Sequence, residues 1–67
     1  SDEKIREFRR SIVLMREIKK GDTIKKEDID YKRPGGGFDP EMTGFLIGRV
    51  VNKDLELDHI VSKDDIV

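Results

Sequence analysis

The sequence has no cysteine and no tryptophan, and only one histidine, one tyrosine and two prolines among its 67 residues. Without cysteine, neither a disulfide nor a thiolate metal site can staple the chain. With a lone histidine, His59, a transition-metal site would rest on carboxylates alone. One tyrosine and three phenylalanines are too few and too scattered for a nucleic-acid stacking platform, so Tyr31, Phe38 and Phe45 are expected in the core. An excess of either charge is missing too. The chain carries 14 basic and 15 acidic residues, a net charge of −1, which gives no electrostatic case for nucleic acid or anionic membrane as a partner. No apolar run approaches the roughly 20 residues of a membrane span, and no signal-peptide pattern opens the sequence. The expected compartment is the cytoplasm.

What is present is dense charge and a small apolar complement. Charged residues make up 43% of the chain, against about 25% in ordinary domains. At this length one domain is expected, near the small end of what folds unaided, around a core of about a dozen aliphatic and aromatic side chains. Balanced charge at this density suits a network of surface ion pairs of the kind thermophile proteins carry.

The strongest internal signal is a repeat. Residues 13–29 lie over residues 50–66 at an offset of 37 positions, with Val13/Val50, Lys26/Lys63, Asp28/Asp65 and Ile29/Ile66 identical. The matched apolar positions Val13/Val50, Leu14/Val51, Ile18/Leu55, Ile24/Val61 and Ile29/Ile66 are those a core would use. A unit this short cannot bury its own apolar face, so the copies are expected to bury theirs against each other in a closed pseudo-symmetric domain. The unrepeated stretch from Asp30 to Arg49 is then the place to look for function.

Along the chain, residues 1–10 place acids before bases and read as a linker or short lead-in helix. Residues 11–67 form the domain proper. Residues 11–15 are a β-branched and aliphatic run, expected as a strand buried on both faces. Gly21 marks a turn. A short helical turn is expected at 25–28, and its counterpart at Ser62 and Asp65 has the spacing of a capping box. Residues 30–33 are extended, because Pro34 disfavours helix at Arg33. Gly35, Gly36 and Gly37 read as a flexible loop. Asp39 and Pro40 start a helix that carries Met42, Phe45, Leu46 and Ile47 inward and stops at Gly48. The sum is a mostly β domain with short helical turns.

Each candidate site has a plainer reading beside it. The three-glycine loop lacks the lysine and hydroxyl of a P-loop and the dinucleotide fingerprint; the plainer reading is a turn needing positive φ or close backbone approach. His59 reads as a solvated turn residue. The acid pairs Glu27-Asp28 and Asp64-Asp65 recur in both copies, which points to turn capping rather than acid–base catalysis, where environments must differ. No catalytic residue and no metal ligand is expected. Arg33 ends an extended segment, is followed by proline and borders the glycine loop. On the residues alone it reads as a surface ion-pair residue, with a clamp on a carboxylate or carbonyl of another molecule as the alternative.

The ordered strings Phe8-Arg9-Arg10-Ser11-Ile12, Ile18-Lys19-Lys20-Gly21-Asp22, Lys32-Arg33-Pro34-Gly35 and Gly48-Arg49 resemble one family over nearly the whole chain. It is the C-terminal domain of sialic acid synthases, the antifreeze-like or SAF domain, related to type III antifreeze proteins. The resemblance implies a β-clip, a pretzel-like fold with an internal pseudo-twofold repeat. It implies a substrate-capping role beside an N-terminal TIM barrel, which condenses phosphoenolpyruvate with an N-acyl hexosamine such as N-acetylmannosamine. That barrel, which this chain does not include, is expected to use a divalent metal, manganese or magnesium; no cofactor is expected in the SAF domain. The implied partner is the barrel of the other subunit in a domain-swapped homodimer, where Arg33 of the R-P-G motif approaches the amino sugar's N-acyl group beside the loop of Pro34, Gly35, Gly36 and Gly37. Alone, the domain is expected to be monomeric and inactive. The alternatives are an ice-binding protein, whose flat and weakly charged face this dense charge makes hard to assemble, and a SAF adaptor of pilus or flagellar assembly.

Overall fold

The run Ser-Ile-Val-Leu is the stretch of this sequence best suited to an extended, two-sided burial. In the computed structural model, which describes residues 9–67, it forms strand β1 (Ser11–Leu14), buried at every position. β1 pairs antiparallel with β2 (Ile29–Lys32), with Ser11 opposite Lys32 and Leu14 opposite Ile29. For residues 1–8 the expected lead-in helix lies outside the described residues, and Arg9 and Arg10 are not helical.

Among the described residues, regular strand ends there. In place of many short strands, the other β contacts are isolated bridges: Val13–Ile60, Ile18–Leu55, Thr23–Val50 and Val51–Ile66. The chain turns too soon for longer ladders, at Gly21 (φ 93°) and at Asp58 (φ 68°). Aspartate is one of the few side chains that tolerate this left-handed region. Among the described residues helix content is small: 3-10 turns at Lys26–Asp28, Pro40–Met42 and Lys63–Asp65, and one α-turn, α1 (Thr43–Leu46). Among the described residues no helix is long and apolar enough to cross a membrane.

Many of the backbone hydrogen bonds come in pairs 37 residues apart. Ile18 and Leu55 exchange N–H and carbonyl (2.9 and 2.8 Å). The Leu14 N–H reaches the His59 carbonyl (3.1 Å), as the Val51 N–H reaches that of Asp22 (2.9 Å). Likewise Val61 N–H bonds the Ile12 carbonyl and Ile24 N–H that of Arg49, each at 3.0 Å. Leu14, Ile18 and Ile24 are buried, and so are Val51, Leu55 and Val61; Ile12 and Leu46 complete the cluster, with Ile29, Phe38 and Ile66 packed against it. Each such side chain taken from water contributes about 1.5–3 kcal/mol.

Several expected core residues are not in it. Val50 is exposed while Val13 is buried, because Val13 lies between Asp30 of β2 and Ile60, whereas Val50 has only the single bridge to Thr23 and the Val67 N–H. α1 is a single turn, so only Leu46 faces inward; Met42, Phe45 and Ile47 are exposed. Asp39 precedes the Pro40–Met42 turn in extended geometry but makes no side-chain cap, and the Thr43 hydroxyl donates to the Pro40 carbonyl instead. Tyr31 points outward from β2 to bond the Thr43 hydroxyl (2.8 Å). Phe45 stacks beside Phe38 (5.9 Å between centroids) and carries the Arg49 guanidinium over its face at 4.2 Å. A cation–π cover lets a large ring stay at the surface.

Candidate functional site

Arg33 follows directly on β2, one residue past the end of the ladder, and is exposed. Its side chain makes no ion pair and no hydrogen bond with any described residue. Its neighbour Lys32 pairs with Asp58 (3.1 Å). Among the described residues the guanidinium's fork of donors is thus uncommitted, and a planar carboxylate or amide oxygen is the kind of acceptor such a fork fits.

The backbone around Arg33 is held from one side. Ser11, 1% exposed, donates from its hydroxyl to the Pro34 carbonyl (2.8 Å) and, at longer range, to the Lys32 carbonyl (3.2 Å). The two carbonyls flank Arg33. The sequence marks Ser11 only by a hydroxyl at the head of an aliphatic run, with Gly48 standing 37 residues on.

The glycine loop is anchored rather than flexible. Gly35 is buried. A Cβ on Gly37 would stand 2.1 Å from the Val61 carbonyl oxygen, so close backbone approach, not positive φ, excludes a side chain there. Phe38 then ties the loop down, its N–H to the Val61 carbonyl (3.0 Å) and its carbonyl to the Ile12 N–H (3.1 Å). A groove of about 360 Å³ runs beside it, lined by Gly36, Gly37, Phe38, Ser62, Lys63 and Asp64.

The acids in the helical turns are structural. Asp28 accepts from the Lys25 N–H (2.9 Å) and Asp65 from the Ser62 N–H (2.9 Å), in each copy the returning half of a capping box. Arg16 grips Asp28 through two nitrogens (2.7 and 3.2 Å), and this hydrogen-bonded pair holds the Asp28 carboxyl below the usual carboxylate range against the cost of burial. At Asp65 burial is the largest influence and opposes ionisation. The Ser62 N–H, the His59 ring and Lys53 together outweigh it, and the carboxyl again lies below the usual range. His59 is therefore not simply solvated; its Nε2 lies 2.7 Å from Asp65. The Ser62 hydroxyl also meets this carboxylate (3.3 Å). Serine and histidine both bond the aspartate, whereas a nucleophilic triad needs the serine on the histidine. Among the described residues, no three His, Asp or Glu side chains converge on a metal position.

Comparison with known proteins matches residues 9–67 to the family model described as the SAF domain. An uncharacterized protein of Methanocaldococcus jannaschii is 40% identical over 61 residues, covering 91% of this chain and 18% of that protein. The pseudaminic acid synthase of Campylobacter jejuni is 32% identical over 62 residues (92% of this chain, 18% of the enzyme). That of Helicobacter pylori is 33% identical over 64 residues (96% and 19%). The chain spans about a fifth of the length of the curated relatives it matches, and in the synthases the similarity falls in the C-terminal region.

Proposed function

We infer the function from the family to which this chain belongs, the SAF domain family, and propose that it is the accessory, substrate-capping domain of a sugar-acid synthase. The similarity to two pseudaminic acid synthases along more than nine-tenths of this chain carries that reading. In it, the fold is a pseudo-twofold β-clip that serves as a rigid mount, a reading supported by the paired bridges and hydrogen bonds 37 residues apart. The bond-making groups, and the divalent manganese or magnesium ion of such a synthase, belong to a barrel elsewhere. This domain reaches across a domain-swapped homodimer in the cytoplasm to cover the partner subunit's barrel, where phosphoenolpyruvate condenses with an N-acyl amino sugar.

Arg33 is the contributed residue. Its fork is uncommitted among the described residues, it projects beside an anchored loop, and it donates to the N-acyl oxygen of the sugar. Positioning of this kind is effective because the donor is held before substrate arrives. In a synthase carrying this domain, Arg33→Ala removes a charge-assisted hydrogen bond of about 1.5–3 kcal/mol, which corresponds to a KM for the amino sugar raised roughly 10- to 100-fold. The kcat stays within about twofold, since uniform binding is what is lost. Wild-type kinetics in that variant overturn the assignment. The separate domain is expected to be monomeric and inactive, which ultracentrifugation and assay of the 67-residue chain check.

A further inference from the structure

The one buried hydroxyl of β1 takes no part in the paired bridges and backbone bonds that close the scaffold. Ser11 opens a strand whose other members, Ile12, Val13 and Leu14, are aliphatic and buried. A hydroxyl taken from water costs free energy unless it is bonded, and alanine or valine would fill an aliphatic strand without that cost. The second copy shows that the architecture closes without it. Its matched position is Gly48, at φ 90° and with no side chain, and the paired bridges and backbone bonds form on both sides regardless.

What the hydroxyl does is local. The ladder between β1 and β2 ends at the pair Ser11–Lys32. Beyond it Pro34 has no N–H to donate, so its carbonyl is the polar backbone group through which it can be tied to β1, and the Ser11 hydroxyl takes it (2.8 Å). The longer contact to the Lys32 carbonyl brackets the residue between them. Arg33 is that residue.

We propose that Ser11 is a positioning residue: its buried hydroxyl, clasping the carbonyls on either side of Arg33, fixes the direction in which the guanidinium is presented. The proposal rests on the reading of Arg33 as a substrate-binding group and adds the device that aims it. Ser11 itself touches no substrate. Its removal leaves the donor present but loosely held, so binding falls while the chemical step is untouched.

The test is a double-variant cycle in a synthase carrying this domain, read together with amide spectra of the 67-residue chain. Ser11→Ala is expected to raise KM for the amino sugar about tenfold, with kcat within about twofold. Added to Arg33→Ala it should cause no further loss, because a clasp has nothing left to aim. Ser11→Thr, which keeps the hydroxyl, should restore most of the affinity. In the isolated chain, Ser11→Ala should shift and broaden the amides of Arg33 and Gly36 while Ile18 and Leu55 keep their exchange protection. An unchanged KM in Arg33→Ala sinks the functional reading of the arginine. A raised KM there with wild-type kinetics in Ser11→Ala sinks only the clasp. Losses that add in the double variant, or spectral changes spread through Ile18 and Leu55, make Ser11 a packing residue and overturn the proposal.

Discussion

Residues 13–29 and 50–66 close the same backbone bonds with mostly different side chains, whereas most bonds of the stretch between them have no counterpart. In the first copy Asp28 is gripped by Arg16; in the second, Asp65 is met by Lys53 (3.6 Å) and His59 (2.7 Å). Arg16 and Lys53 are themselves 37 positions apart. Position 11 is a buried serine whose side chain ties down the Arg33 segment, while position 48 is a glycine with no side chain, which bonds only through its backbone N–H to the Ile24 carbonyl (2.7 Å). Where the copies agree, the fold sets the residue. Where they part, either solvent tolerates a choice, as at the cations, or one copy has acquired a task, as at Ser11.

That division can be broken most forcefully in the shared core. Ile18 and Leu55 are bridge partners and almost fully buried. Truncating either to alanine should cost about 3 kcal/mol, a fall of well over 10 °C in Tm for a domain of this size. The two losses should agree within about 1 kcal/mol; a larger gap, measured by denaturant or thermal unfolding, would mean the halves do not share one core equally. Next comes the glycine loop. Gly37→Ala forces a Cβ against the Val61 carbonyl and should cost about 2–3 kcal/mol. Gly44→Ala, within α1 and with nothing inside 4 Å, should be neutral or stabilising by up to about 1 kcal/mol. Equal Tm values for the two variants would show that the loop is free to yield, and with it the mount of Arg33.

The same division decides what was legible in the sequence. The offset of 37 exposed the core pairs 14/51, 18/55 and 24/61, because burial against a copy leaves the same mark twice. It misplaced Val50, since a repeat reports position and not what flanks it. Helical spacing put Met42 and Phe45 inside. The helix there is one turn long, and Arg49 covers the Phe45 ring from a residue outside the repeat. Composition read three glycines as slack, but their constraint comes from Val61, far along the chain. Arg33 stands out in the sequence as a candidate because proline and glycine follow it. Its mount does not, because a serine ahead of an aliphatic run looks like any strand start until the Pro34 carbonyl is seen above it.

A third comparison sets the two capping aspartates against each other. Replacing Asp28 or Asp65 with alanine leaves the N–H of Lys25 or Ser62 without its side-chain acceptor, a loss of about 1–2 kcal/mol. The backbone share is common to both, so the unfolding midpoints should fall together, within about 0.5 kcal/mol. A deep loss at one site alone would assign it a role beyond the cap.

The smallest effect is the most discriminating, because it separates the two cation sites. Both carboxyls titrate below their usual range in the folded chain. A group whose folded pKa is depressed gives stability that is fully present above its unfolded value and is lost as pH falls through the folded one. The share of stability that these two carboxyls supply should therefore be lost in acid, from the ordinary carboxylate value of about 3.9 downward. Asp28→Asn and Asp65→Asn should each flatten that limb of a Tm-against-pH curve. The cations should then part. At Asp28 the leading influence is the Arg16 pair, whereas Asp65 keeps the Ser62 N–H and the His59 ring when Lys53 is gone. Arg16→Ala should thus flatten the acid limb more than Lys53→Ala, by a margin smaller than either aspartate change, since both cations are about half exposed and such pairs contribute little. In 1 M salt, where the Debye length is about 3 Å, the difference should shrink but not vanish, because the Arg16 fork is bonded at contact. A larger effect from Lys53→Ala would reverse the ranking and make Asp65 the site that depends on its surface charge.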